Sequence, residues 1–366
     1  MQFAEEMDIS QFFKGLKVIE LAGVLAGPAT GMFFAELGAE VIKIENKNTG
    51  GDGIRKWRLP GEQASGPSAY FCSINHGKTH LLKDLKNAEE QAEVLALIAD
   101  ADMVISNFLP ETAKKLGMQA EVLCAAYPEL IFLQVEGFES GHRQAYDVVL
   151  QAETGWISMT GTADGEPCKL PVALIDLLAA HQLKEAALLA LLKRARGGGG
   201  SYLSCSLERA SLASLANQAS NYLMCGHVAG RMGTLHPNIA PYGECISCSD
   251  GVQIVLAVGS DTQFEGLCRA LEIEDDEIKA RYASNGQRLQ ARDALGALIA
   301  GRMGKQPSRH WEQKFEAEGV PHGRVRPMDE VMETAVARDM IREEMMEGRL
   351  TKRLSSVAFR SRSGGA

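Results

Sequence analysis

The first forty-five residues leave few folds open to this chain. Residues 16–22 (Leu-Lys-Val-Ile-Glu-Leu-Ala) read as a short strand, and Gly23 begins a glycine-containing turn. Pro28 suits the first turn of a helix that runs to about Leu37 and stops at Gly38. Residues 39–45 are a second apolar strand. A strand, a turn, a helix and a strand in so short a span predict parallel pairing through a right-handed crossover. The alternation continues. Residues 87–101 form an amphipathic helix with Asn87 and Glu90 spaced as a capping box. A strand at 103–108, short helices at 111–116 and 120–127, and a strand at 130–135 follow. A strand at 201–206 and a helical stretch at 207–224 come after the next long helix. The expected class is α/β, with a doubly wound, mostly parallel, Rossmann-like large domain over residues 1–224. Such a sheet binds ligands beyond the C-terminal ends of its strands, here near residues 23–28 and just after Glu45. The turn is not G-x-G-x-x-G, so no nicotinamide or flavin is expected.

A smaller α+β domain is expected over residues 225–320, with a Gly/Pro/His-rich linker or active-site segment at 226–242. Residues 324–327 read as a strand returning to the first domain, within a return segment at 321–366. Its last residues, 361–366, are small and polar and are expected to be disordered. The net charge of −9 argues against a nucleic-acid binder. No apolar run approaches the roughly 18 residues of a membrane span. Glu5, Glu6 and Asp8 give the first residues the wrong sign for a targeting peptide, so a cytoplasmic protein is expected. Cys245 and Cys248 form a lone C-x-x-C with no second pair, and no metal is expected. Residues 197–200, four glycines, lack the Gly-Lys-Ser/Thr of a phosphate loop and read as a flexible turn. Residues 46–66, with Lys47, Arg55, Lys56 and Arg58, are either a solvated loop or a lid over an anionic ligand. Phe71 and Ile74 read as buried, and residues 75–78 as a polar bend.

Residues 170–177 (Leu-Pro-Val-Ala-Leu-Ile-Asp-Leu) place a carboxylate where a buried extended segment gives way to a helix. That helix continues to about Arg196, is rich in Leu and Ala, and is expected to be buried on most sides. Asp176 has two readings. It can be an N-cap, accepting bonds from the unpaired N–H groups of the first turn. It can instead be a reactive carboxylate held in an apolar wall.

The order of short motifs resembles the class III CoA-transferases, the CaiB/BaiF type. The motifs are Gly27-Pro28, the apolar run from Leu37 to Glu45, Gly51-Asp52 with Arg55, and Asn75-His76-Gly77-Lys78. Asn107-Phe108-Leu109-Pro110, Leu116-Gly117, Tyr146-Asp147, Gln151-Ala152, Thr160-Gly161 and Pro241-Tyr242-Gly243 follow. The resemblance covers residues 14–330. It implies that Asp176 is a nucleophile that attacks an acyl-CoA thioester, passing through a mixed anhydride to an aspartyl-CoA thioester. Removing water from the carboxylate and supplying N–H donors for the oxyanion, from the helix N-terminus behind Asp176, makes the step feasible.

The resemblance further implies CoA contacts at Val24, Leu25, Asn46, Lys47, Ile74, Asn75, His76, Gly77, Lys78, Asn107, Phe108, Lys115 and Leu116, with Tyr146 beside the substrate. It also implies an acyl-CoA and a carboxylic acid as partners, and an interlocked homodimer. Asn46 and Lys115 stand where relatives often carry Arg, and Lys supplies charge without bidentate geometry. The usual Gly-Phe-Gly-x-x-Gly-Pro is here Gly137-Phe138-Glu139-Ser140-Gly141-His142, and Glu136 stands where some transferases have Lys. Two other activities use this fold. α-Methylacyl-CoA racemases need a His-Asp acid/base pair, but their His falls on Tyr146 and a further Glu falls near Ser247. A non-catalytic acyl-CoA-binding relative would not need Asp176.

Overall fold

The computed structural model describes residues 8–140 and 143–361. The chain divides into two units, one of residues 1–156, 169–228 and 335–366, the other of 157–168 and 229–334. The expected disordered tail lies outside the described residues except for Ser361, and so do Gly141 and His142.

In the first unit the elements alternate as strand and helix. They run β1 (Lys17–Glu20), α1 (Ala26–Glu36), β2 (Glu40–Asn46), α2 (Ala69–Asn75), β3 (Thr79–Lys83), α3 (Ala88–Ala99) and β4 (Met103–Ser106). Next come α4 (Pro110–Leu116), α5 (Ala120–Ala126), β5 (Ile131–Glu136), α6 (Asp147–Glu153) and the single turn α7 (Trp156–Met159), which passes into the second unit after Trp156. The long helix α8 (Leu174–Ala195), β6 (Ser201–Ser206), α9 (Leu207–Ala213) and α10 (Ala216–Cys225) follow. The six strands form one parallel sheet in the order β3-β2-β1-β4-β5-β6. The order reverses between β1 and β4, which opens a crevice at their C-terminal ends. Each face of the sheet is covered. Phe33, Phe34, Met103, Leu133, Ile175, Leu183 and Ala187 belong to one core cluster, and Ile19, Val94, Ile98, Val104 and Phe132 to another.

Several expectations are corrected at the level of elements. β3 lies at the sheet edge; its side chains are exposed or half-buried, so it carries no apolar run to mark it. Residues 69–75 are a helix, with Ser68 accepting a bond from Phe71 N–H as its cap. Asn87 caps α3, but no capping box closes. The Glu90 carboxylate instead accepts from Asp84 N–H at 2.7 Å and pairs with Lys47. The stretch 207–224 is two helices, broken where Ala216 takes φ +47°. The helix α8 starts earlier than expected, and Pro171 and Val172 before it are exposed bends, not a buried strand. It is also not buried all round, since Leu188, Leu189 and Leu192 are exposed.

The second unit has its own core, built from Ile254, Leu256, Phe264, Leu267, Leu295, Ile299, Trp311 and Phe315. Its antiparallel sheet is β7 (Tyr242–Ser247), β8 (Gln253–Ala257) and β9 (His322–Arg324), in that order. The segment expected to return at 324–327 thus starts in this sheet, because His322 and Arg324 pair with Leu256 and Ile254. The chain rejoins the first unit from Ala335, where β10 (Ile341–Met346) and β11 (Arg349–Leu354) form an antiparallel hairpin. Met346 of that hairpin enters the core beside Leu25, Ile54, Phe71 and Ala180. Arg353, also buried, pairs with Glu36 of α1 at 2.5 Å.

Candidate active site

Asp176 is the third residue of α8 and is buried. It is not the cap. The carboxylate of Asp147, at the start of α6, accepts from Ile175 N–H at 2.6 Å and from Asp176 N–H at 3.4 Å. Asp147 is itself fixed by Gln151, one turn along α6, which donates to its Oδ1 at 2.5 Å and accepts from Leu170 N–H at 2.9 Å. The motif Tyr146-Asp147 with Gln151 is therefore the device that starts α8 in the right place. It also means that the N–H groups expected to serve an oxyanion behind Asp176 are already occupied.

With its helix capped from outside, the Asp176 side chain is left free. Among the described residues no group donates a hydrogen bond to its carboxylate. Burial, and then the negative charge of Asp147, push its carboxyl up to about 7. Burial, helped by the charge of Asp176, holds the Tyr70 phenol protonated, pushed up to about 12. On the expectation that the ionised Asp176 carboxylate is the attacking group, kcat/KM should rise with pH through an acid limb near 7. A pH–rate profile of the free enzyme checks this, and a limb in the usual carboxylate range near 4 would contradict it.

Asp176 opens into a cavity of about 250 Å³ lined by Gly23, Val24, Leu25, Glu136, Arg143, Tyr146 and Leu207, among others. Gly23, Val24 and Asn107 also line a second cavity of about 750 Å³ on the other side of the same turn. The turn is held from two sides. Asn107, just past β4, donates to Gly23 C=O at 3.0 Å and accepts Gly23 N–H at 3.2 Å. Val24 N–H donates to Asp52 at 3.1 Å. Val24 has φ +68°, a region that costs a β-branched residue on the order of 1–3 kcal/mol.

The expected CoA residues, and Tyr146 expected beside the substrate, fall in separate places. Val24, Asn46, Asn107, Phe108, Lys115 and Leu116 line the larger cavity, and Leu25 and Tyr146 line the one that holds Asp176. Lys47 lies at the end of β2, exposed and paired with Glu90. Ile74, Asn75, His76, Gly77 and Lys78 line neither cavity. Ile74 is in the core, and Asn75 and Lys78 are buried beside Glu20, with Lys78 Nζ 2.7 Å from it. His76 and Gly77 line a different cavity and touch the hairpin directly, His76 at Arg353 (3.1 Å) and Gly77 N–H at Glu344 (3.2 Å).

Residues that sequence reasoning missed take their place. Lys83, the last residue of β3, and Asp84, Leu85 and Lys86 just past it line the larger cavity. They stand at the C-terminal end of a parallel strand, where ligands are expected, and the unmarked edge strand hid them. In the Gly51-Asp52 and Arg55 motif, Arg55 and the Asp52 amide both engage Glu45. Arg55 holds Glu45 with two bonds of 2.6 Å, and Asp52 N–H donates to the same carboxylate at 2.8 Å. Burial works to raise the Glu45 carboxyl, but Arg55 and His80 hold it well below the usual range.

The family model described as CoA-transferase family III matches residues 13–362. The chain belongs to that family. It is a CoA-transferase, moving CoA from an acyl-CoA to a carboxylic acid. A relative named succinate–glutarate CoA-transferase, from Agrobacterium fabrum, is 38% identical over 87% of this chain and 80% of its own length. A mouse succinyl-CoA:glutarate CoA-transferase is 30% identical, covering 90% of this chain and 76% of its own. The crystal structure of a CaiB/BaiF family protein from Brucella suis superposes with a TM-score of 0.80 at 34% identity, over 97% of this chain and 93% of that one. Family III chemistry uses CoA thioesters as substrates. No group of three or more His, Cys, Asp or Glu among the described residues could hold a metal ion. No helix among them is long and apolar enough to cross a membrane.

Proposed function

We propose that this transferase works through covalent catalysis by Asp176 and exchanges CoA between short dicarboxylic acids. The observation that carries the first part is a buried carboxylate with no hydrogen-bond donor, its helix capped by another residue, opening into a cavity. A carboxylate stripped of water and of donors is a stronger nucleophile than a hydrated one.

In the first step an Asp176 oxygen attacks the thioester carbonyl, the C–S bond breaks, and CoA leaves as thiolate with a mixed anhydride on the enzyme. The thiolate then attacks the aspartyl carbonyl, releasing the donor acid as carboxylate and leaving aspartyl-CoA thioester. The acceptor carboxylate attacks that thioester and the two steps run in reverse. No net proton is required. Donors for the tetrahedral oxyanion come in this reading from the first turn of α1. Its N-cap, Leu25, makes no side-chain bond, and Val24, Leu25 and Ala26 line the cavity.

The substrate class follows the relatives, whose names include succinate, glutarate, mesaconate and oxalate. The larger cavity, with Lys83, Lys86 and Lys115 at its edge, takes the anionic end of CoA. Lys86→Ala and Lys115→Ala are each expected to raise KM for acyl-CoA several-fold with kcat little changed, and more strongly at low salt. Steady-state kinetics at two ionic strengths check this.

A homodimer belongs to this reading and is supported by apolar side chains left exposed on α8 (Leu188, Leu189, Leu192) and α10 (Leu223, Met224). The eight cysteines, all free, fit a reducing cytoplasm.

The test is to incubate the protein with a panel of acyl-CoAs, quench with hydroxylamine and map peptides. A hydroxamate or CoA adduct on the peptide carrying Asp176, absent in Asp176→Ala, is the expected result. Transfer that proceeds without any adduct, and survives in Asp176→Ala, would overturn the covalent reading.

A further inference from the structure

Under the Gly23–Val24 turn runs a chain of buried charges that no step above uses. Asp52, whose carboxylate accepts Val24 N–H at 3.1 and 3.3 Å, is paired with Lys43 at 3.2 Å. Lys43 donates to Glu20 at 2.9 Å and to Ala22 C=O at 2.6 Å. The other Glu20 oxygen accepts from Lys78 at 2.7 Å. Lys78 also donates to Pro28 C=O at 2.8 Å and to Asn75 at 3.0 Å. The side chains of Lys78 and Glu20 are both 0% exposed. Gly31 of α1 makes room for this packing, since a Cβ there would lie 2.0 Å from a Glu20 oxygen.

Two features set this network apart from an ordinary buried ion pair. Its far end is the amide of the one residue that holds the turn between the two cavities in a left-handed conformation. Two of its other bonds go to Ala22 and Pro28, on either side of that turn. All three donors of Lys78 are used inside the protein, so none is left for a phosphate. We propose that Lys78, Glu20, Lys43 and Asp52 act as a positioning relay that holds Val24 and the first turn of α1 in register with Asp176. Lys78 serves that relay and not a CoA phosphate.

The physical route is competition for Lys43. Two ammonium groups balance two carboxylates here. Without Lys78, Glu20 draws Lys43 toward itself, Asp52 loses its partner, and the clamp on the strained Val24 amide loosens. The inference rests on the reading that Asp176 attacks the acyl-CoA.

The experiment compares steady-state kcat and KM for succinyl-CoA and for its 3′-dephospho form in Lys78→Met, Asp52→Asn and the double variant. It adds Val24→Gly alone and with Asp52→Asn. Thermal melts and circular dichroism accompany each protein. Lys78→Met and Asp52→Asn are each expected to lower kcat by roughly tenfold or more, with KM within about twofold. The double variant is expected to fall little further than the worse single one. Glycine adopts φ near +68° without strain, so Val24→Gly is expected to recover much of the Asp52→Asn loss. Should Lys78→Met fail to fold, the Asp52→Asn and Val24→Gly pair still decides the matter.

A raised KM with kcat intact, disappearing with the dephospho donor, would make Lys78 a phosphate contact and overturn the proposal. A lower melting temperature with unchanged kcat, or no rescue by Val24→Gly, would reduce the network to a structural one and also overturn it. Wild-type turnover without an adduct on Asp176 refutes the nucleophile instead, while the kcat comparison still decides the relay.

Discussion

Asp176→Asn is expected to remove CoA transfer almost completely and, at pH 8, to make the protein more stable. The loss should be on the order of 10⁴-fold or more in kcat, as when a nucleophile is deleted from a site whose other parts remain. Acyl-CoA binding should persist, because the larger cavity does not include Asp176. The stability change follows from linkage. The folded-state carboxyl is pushed up to about 7, against an ordinary value of 3.8. The folded protein therefore holds this proton more tightly than the unfolded chain does. Its contribution is fully present below about pH 4 and is lost as the pH rises through about 7. Above that, keeping the ionised carboxylate buried costs roughly 4 kcal/mol. Asparagine carries no such charge, although its amide is also buried, so a net gain of roughly 1–3 kcal/mol at pH 8 is expected. Urea unfolding at pH 5 and pH 8 measures it. Wild type should lose stability between the two relative to Asp176→Asn, and parallel pH profiles would refute the account.

Changes at Asp147 are expected to separate the structural from the electrostatic part of the site. Asp147→Ala removes the cap of α8 and leaves Gln151 without its partner, which should cost about 2 kcal/mol or more. It also frees the first turn that carries Asp176, and displacement there by about 1 Å can cost 10²-fold in rate. Asp147→Asn keeps an oxygen that can accept Ile175 N–H but removes the charge. It should cost less stability and move the acid limb of kcat/KM below its wild-type position near 7, because burial alone then raises the Asp176 carboxyl. A limb that stays put would mean that Asp147 acts on Asp176 through geometry only.

What could be read from the sequence was what local chemistry dictates. The N-terminal strand–turn–helix–strand unit needed only apolar periodicity, a Pro near the helix start and Gly38 at φ +94° after its end. Asp176 stood out by its place at the head of a Leu/Ala-rich helix, but position alone also read as a cap, and only the motif resemblance pointed to a reactive carboxylate. Its cap was not legible, since Asp147 lies on another helix and only the fold brings the two together. Nor was the fate of Lys78. The family resemblance places this lysine beside CoA, and only tertiary packing shows that Glu20, Pro28 and Asn75 consume its three donors. The edge strand β3 was hidden for the opposite reason. Half-exposed strands lack the apolar run that marks a buried one, and losing β3 lost Lys83 and Lys86 with it.

The first unit is discontinuous, and this bears on how the protein is made. A ribosome delivers the whole of residues 229–334, which have their own core, before the hairpin of β10 and β11 emerges. Until then the cluster around Leu25 and Phe71 lacks Met346, and Glu36 and Glu45 lack the hairpin's Arg353 and the Glu347 that steadies Arg55. The unit that carries Asp176 is therefore the last to close, and the later-encoded segment can finish first. During that interval the cluster around Leu25 and Phe71 is open to solvent and to other nascent chains, which makes the wait, and not the final stability, the period of greatest exposure to misassembly.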